Sequence, residues 1–188
     1  MSLKDTRNLE PADIDKAVVG SLTTQTYGGK IAIEGVKLID LRQIVDDGGS
    51  FSEIVRLDEQ GIALGLDGFQ VRQSSFSVVL PGVVKAFHLH YRQDDLWFVP
   101  PADRMLVGLI DARAVSSTAG AKMRIVLGAG RAQLLFIPRG VAHGVSNQFP
   151  TPGTVFYFVN QQFDIEDPDE RRLPWDLAGE DFWKMTPG

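Results

Sequence analysis

The chain is 188 residues long, 44% hydrophobic and 23% charged, with a formal net charge of −5. That is chain enough for one sizeable core, in the composition of an ordinary globular protein rather than a disordered or fibrous one. The absence of cysteine excludes disulfides and thiolate chemistry, the acidic balance argues against a nucleic-acid partner, and no apolar run approaches the ~20 residues of a membrane-spanning helix.

The opening MSLKDTRNLEPADIDK lacks the apolar segment of a secretory signal, which together with the missing cysteines sets the expectation of a cytoplasmic protein. Residues 11–18 read as one short helix, with Pro11 in its first turn and Gly20 past its end. Residues 21–30 are polar, with a turn expected at Tyr27-Gly28-Gly29. From Ile31 the pattern changes to short β-branched and aromatic runs: IAIEGVKLIDL, FSEIVRL, GFQVRQSSFSVVL, GVVKAFHLH, LWFV, MLVGLIDARAV, AKMRIVL, QLLFI and GTVFYFVN. Turn signals such as Asp46-Asp47-Gly48-Gly49, Pro81-Gly82, Pro100-Pro101 and Gly128-Ala129-Gly130 separate them in the rhythm of an antiparallel sandwich or barrel. No amphipathic helices alternate with the strands, so a βαβ architecture is not expected. After Asn160 the chain turns acidic and Pro-rich, FDIEDPDERRLPWD, and ends in an aromatic segment with Phe182 and Trp183. The expected organisation is an N-terminal arm with a short helix (1–30), one barrel (31–160) and a C-terminal arm packed on it (161–188).

Function concentrates on the three histidines, the full complement of the chain. In Gly82-Val-Val-Lys-Ala-Phe-His88-Leu-His90-Tyr-Arg-Gln-Asp94, residues two apart on a strand share a face, so His88 and His90 project together. In Pro138-Arg-Gly140-Val-Ala-His143-Gly-Val-Ser-Asn147, a Pro/Gly turn after QLLFI delivers His143. The two stretches resemble the paired motifs of the cupins. That resemblance implies an all-β, antiparallel jelly-roll barrel with short helical segments near the termini, and a pocket marked by His88, His90 and His143.

A narrower resemblance rests on DDGGSFSE (46–53), QSSFSVVLPGVVKAFHLH (73–90), Gln93, DARAVSSTAG (111–120) and FIPRGVAHGV (136–145). In this order and spacing they resemble the dTDP-4-dehydrorhamnose 3,5-epimerases and their relatives acting on nucleotide-linked 4-keto sugars. The resemblance implies that His88 is the base removing a proton beside the keto group, with His143 in the same pocket. It implies that Lys85 holds the diphosphate, that Glu53 contacts the ligand, and that Asp181 pairs with the base. Gln73, Arg113 and Tyr157 are expected as further substrate contacts. The chain departs from the family pattern at several points: Asp95 stands where a lysine is expected for the enolate, and Phe163 where a tyrosine reprotonates carbon. Val107 replaces an acidic residue, Gly48 an arginine, and His90 a glutamine.

Three chemistries follow. Proton abstraction alpha to a ketone needs a base near working pH and positive charge near the enolate, with no cofactor. Within it, His88 and His90 can also act as a shuttling pair, resembling 3,4-ketoisomerases. The alternative is one divalent metal ion on His88, His90, His143 and Asp94 or Asp95, and a third reading is a non-catalytic carbohydrate binder. Phe87 and Leu89, opposite the histidine face, are expected to be exposed and to form a homodimer contact.

Overall fold

The computed structural model describes residues 8–24 and 32–185, which fall into two compact units divided between Lys30 and Ile31. In the first unit, the stretch expected as one helix is two pieces: a 3-10 turn, Pro11–Asp13, and a single α-turn, Lys16–Val19. Ile14 between them is extended (φ −94°, ψ 140°), and Asp15 caps the second piece by accepting the Ala17 N–H at 2.8 Å. Neither piece has a buried residue, so no tertiary contact joins them into a longer helix. The turn expected at Tyr27-Gly28-Gly29 lies outside the described residues.

The second unit is a jelly roll of antiparallel strands. One five-stranded sheet has the order β1 (Lys37–Asp40), β9 (Gln133–Ile137), β6 (Asp95–Phe98), β11 (Gly153–Val159) and β4 (Gln73–Val79). The facing sheet has the order β12 (Arg171–Arg172), β5 (Val84–Leu89), β10 (Val141–Ser146), β7 (Arg104–Asp111) and β8 (Lys122–Gly128). A separate hairpin pairs β2 (Gln43–Asp46) with β3 (Gly49–Ser52) around Asp47-Gly48. His143 lies within β10, which follows directly on the expected turn at Arg139-Gly140 after β9.

Alternation along the strands builds three apolar layers. Between the sheets lie Val79, Trp97, Leu135 and Val155 from the first and Met105, Val107, Leu109, Leu127, Val141 and Val145 from the second. Leu96, Phe98 and Leu134 point the other way and are covered by Ala63, Leu66 and Phe69. Phe87, Leu106, Ile110 and Ala142, on the outer face of the second sheet, are covered by Trp183. Gly108 makes that last layer possible: a Cβ there would lie 2.5 Å from both Phe182 and Trp183. Arg124 fastens the same segment by donating to the carbonyls of Phe182 (2.9 Å) and Lys184 (2.6 Å).

This corrects the expectation for Phe87 and Leu89. Phe87 is fully buried, with its ring 5.3 Å from Trp183 and 6.1 Å from Phe182, and Leu89 is half-buried beside Arg171. The chain's own C-terminal segment covers that face. Exposed apolar side chains include Phe76 and Val78 on edge strand β4, Leu80 just past its end, and Ile44, Val45 and Phe51 on the hairpin.

Candidate active site

The interior of the jelly roll opens into a cavity of about 810 Å³, with His88, His90 and His143 on its wall. Strand β5 reaches it by an irregularity. Against β10, His88 pairs with His143 and Lys85 with Val145, so β5 uses one residue more than its partner. Strict alternation would send Lys85 and His88 to opposite faces; the bulge turns both into the cavity. The Ala86–Phe87 peptide within it is cis. Gly144 makes room for the bulge, because a Cβ there would come 2.3 Å from the Ala86 methyl.

The deep wall is carried by strands and fully packed. His143 donates Nδ1–H to the Val141 carbonyl at 3.0 Å, which leaves Nε2 3.4 Å from Asp95 Oδ2. Asp95 also accepts Gln93 Nε2–H at 2.7 Å and the Trp97 indole N–H at 3.0 Å. Burial opposes ionisation of Asp95, but the hydrogen bond and charge of His143, with His90 and Trp97, hold its carboxyl below the ordinary value. Trp97 sits edge-on to both His143 and Tyr157, 5.1 and 5.2 Å between ring centres. The Tyr157 hydroxyl reaches Ser77 at 2.5 Å, and burial pushes its pKa up, so it remains protonated at neutral pH.

The outer wall comes from residues 161–172. His90 donates Nδ1–H to the Asp169 carbonyl, and its Nε2 lies 3.4 Å from the Gln93 amide. The Asp169 carboxylate accepts the backbone N–H groups of Tyr91, Arg92 and Gln93 at 3.0, 2.6 and 3.0 Å. His88 is bound on both ring nitrogens. Nδ1 is 3.0 Å from Glu170 Oε1, and Nε2 is 2.8 Å from Arg172 Nη1. Guanidinium only donates, so Nε2 is the acceptor and Nδ1 carries the proton toward Glu170. Burial, then the charges of His143 and Arg172, depress the His88 pKa to about 4 against the opposing pull of Glu170. His88 is therefore a neutral imidazole at physiological pH, with its basic lone pair on Nε2.

Not every expected residue reaches this cavity. Lys85, Gln73 and Tyr157 line it. Gln73 accepts the Phe163 N–H at 2.9 Å, which seats Phe163 at the rim, and Lys85 donates to the Val78 carbonyl at 3.4 Å. Asp181 does not: its side chain is 87% exposed and pairs with Lys184 at 2.6 Å, in the turn Glu180–Trp183 that faces the outside of the second sheet. The acid that partners His88 is Glu170. Arg113 is a structural residue, forked onto both oxygens of buried Asp111 at 2.8 Å each, and bonded to the Glu34 carbonyl. Glu53 is exposed and pairs with Arg56 at 2.8 Å, outside the cavity lining of this chain. Gly48 is in the hairpin turn and Val107 in the core.

The metal alternative is also redrawn. Asp94 is held by the Arg139 guanidinium (2.9 Å) and the Asn160 amide (2.9 Å), and both nitrogens of His88 are engaged. Among the described residues, the atoms close enough to share an ion belong to His90, Asp95 and His143, all within 4.8 Å. Both Asp95 oxygens already accept N–H donors, from Gln93 and Trp97, so the carboxylate of this set is engaged in a hydrogen-bonded network. The sequence reading missed Glu170, Arg172, Asp169 and Trp97. DPDERR reads as a solvated charge run, and its one structural signal is the two-residue strand β12 that lays Arg172 opposite His88.

A family model described as dTDP-4-dehydrorhamnose 3,5-epimerase matches residues 30–178. The chain is 42% identical over 144 residues to the spore coat polysaccharide biosynthesis protein SpsL of Bacillus subtilis, covering 77% of this chain and 91% of that one. It is 32% identical over 146 residues to a probable low-salt glycan biosynthesis epimerase of Haloferax volcanii, covering 77% and 89%. Among solved structures, a dTDP sugar isomerase from Desulfovibrio desulfuricans superimposes with a TM-score of 0.68 at 29% identity, covering 85% and 94%.

Proposed function

The chain belongs to the dTDP-4-dehydrorhamnose 3,5-epimerase family, and on that premise we propose that it epimerises or isomerises a nucleotide-linked 4-keto-6-deoxy sugar. The observation that carries the reading is His88: a neutral imidazole of fixed tautomer on the wall of a cavity large enough for a sugar nucleotide. Its Nε2 takes the proton from the carbon beside the ketone, and the electron pair of that C–H bond moves onto the carbonyl oxygen as an enolate. With Asp95 in the place of a lysine, the donor for that oxygen is His143, whose Nε2 lies 3.4 Å from Asp95, and Lys85 is kept for the diphosphate.

A proton must then return to carbon. Phe163 has no hydroxyl, but Tyr157 on β11 faces the cavity from the sheet opposite His88 and keeps its proton at neutral pH. A ligand between the two sheets meets His88 on one face and Tyr157 on the other. Such proton transfers need no cofactor, and we propose none; both oxygens of Asp94 and of Asp95 already accept N–H donors.

Two calorimetric titrations test the ligand class. Unmodified protein is expected to bind dTDP, and Lys85→Ala to weaken that binding by about 1–3 kcal/mol, the scale of a charge-assisted hydrogen bond. No heat of binding from the unmodified protein would overturn the reading. We also propose a cytoplasmic homodimer. The support is the lack of cysteine and the exposed apolar row of Phe76 and Val78 on edge strand β4, continued by Leu80. A monomer mass by light scattering at micromolar protein would rule the dimer out.

A further inference from the structure

We infer that Arg172 is a latch on the general base: it caps His88 Nε2 until the diphosphate of an arriving nucleotide sugar draws its guanidinium away. The inference rests on the proposed reading of the substrate as a nucleotide sugar, and it adds an order of events, in which binding frees the base.

The three groups form a closed triangle. Glu170 Oε1 receives His88 Nδ1–H and Arg172 Nη2–H, each at 3.0 Å, while Arg172 Nη1 donates to His88 Nε2 at 2.8 Å. The lone pair that must accept the carbon-bound proton is thus already used. Arg172 has to leave before His88 can act, because one sp² nitrogen lone pair cannot serve two donors.

The geometry makes leaving easy on one side and favoured on the other. The backbone of Arg172 is fixed in β12 opposite His88, but its side chain is 61% exposed, so the guanidinium can swing without disturbing the strand. It holds one neutral nitrogen acceptor and one oxygen of a half-exposed carboxylate. A diphosphate offers several anionic oxygens, which a planar guanidinium binds in pairs. Lys85, also in the cavity lining and three residues along β5, bonds among the described residues to the Val78 carbonyl at 3.4 Å and can hold the same diphosphate. Arg92 differs, being paired with Asp167 at 2.8 Å within the outer wall itself. Of Lys85, Arg92 and Arg172, the cations among the described residues of the cavity wall, it is Arg172 that touches the base.

A purely structural Arg172 and a latch make different predictions when the substrate is supplied in two pieces. For the unmodified protein, deuterium exchange into a free 4-keto-6-deoxy sugar is expected to be slow and to rise about tenfold or more on adding dTDP. That is the fold-change released by breaking one charge-assisted hydrogen bond. Arg172→Gln should exchange the free sugar at the stimulated rate without dTDP, and gain nothing from it. In parallel, the ¹⁵N resonance of His88 Nε2, assignable in a chain with three histidines, should move to the free, unbonded position in Arg172→Gln. Inorganic pyrophosphate should produce the same shift in the unmodified protein. An Nε2 resonance unmoved by the substitution, or dTDP stimulation that survives in Arg172→Gln, would overturn the latch. A wrong substrate class shows itself separately: exchange would be missing in both proteins while the Nε2 resonance still responded to Arg172→Gln and to pyrophosphate.

Discussion

The two walls of the cavity are built on opposite principles. The deep wall is Asp95, Trp97, His143 and Tyr157, carried on central strands β6, β10 and β11, where Asp95 and His143 are almost wholly buried. The partners that fix its protons are a backbone carbonyl, an indole, an amide and a hydroxyl. The outer wall, residues 161–172, is charged and largely exposed, and its partners are exposed ion pairs: Arg92 with Asp167, Arg172 with Glu170. Groups of the first kind hold a protonation state; groups of the second can exchange one partner for another when a ligand arrives. His88 stands between them, ring-stacked 6.1 Å from His143 on one side and bonded to Glu170 and Arg172 on the other.

The largest expected effect tests which residue on this boundary does the chemistry. His88→Asn should reduce solvent-deuterium exchange into the nucleotide sugar by about 10²–10⁴-fold, the range of general-base catalysis, with dTDP affinity retained. Arg92→Gln, which breaks an exposed ion pair of the outer wall, should change stability by less than about 1 kcal/mol. An equal loss of exchange in the two variants would erase the contrast.

Next in size is the anchor of the outer wall. Trp183 is 2% exposed and packs on Phe87 and Gly108, so Trp183→Ala should cost about 3–5 kcal/mol in chemical denaturation. A cost below about 1 kcal/mol would mean the segment only rests on the barrel.

The smallest effect is one of pH. The folded-state pKa of His88, about 4, lies below the ordinary 6.5, so the folded chain binds fewer protons than the unfolded chain between those values. Stability therefore rises with pH through that window and loses this contribution as pH falls from about 6.5 toward about 4. The urea midpoint should be lower at about pH 5 than at about pH 7.5, with part of the difference removed in His88→Asn. The lowered pKa of Asp95 acts further down, below its ordinary 3.8, where protonation of the deep wall costs stability in turn.

The deep wall was much the more legible in the sequence. Strand alternation and motif spacing brought His88, His90 and His143 to one cavity, and short β runs between Gly/Pro turns indicated the antiparallel architecture. Lys85 was named from resemblance, although alternation alone would have turned it away. A one-residue bulge has no sequence signal beyond the glycine opposite it, Gly144. The outer wall was not legible, because DPDERR has neither apolar periodicity nor turn chemistry to separate a paired charge from a solvated one. Asp181 illustrates the cost: the partner of the base that the resemblance implies is an exposed acid, while Glu170 holds that place. Phe87 failed for the same reason, since nothing local announces that Phe182 and Trp183 return to cover it.

That return has a consequence for affinity. Beyond β11 the wall is tied down twice, by the paired backbone bonds between Leu173 and Phe87 (2.9 and 3.1 Å) and again by Trp183. A wall with a loose end would have to be immobilised by each incoming ligand, at roughly 1–2 kcal/mol of backbone entropy for every residue fixed. Secured at both ends, these residues surrender that freedom once, when the chain folds. A ligand then meets a preorganised rim, and its contact energy is retained as affinity instead of being spent on assembling its own binding site.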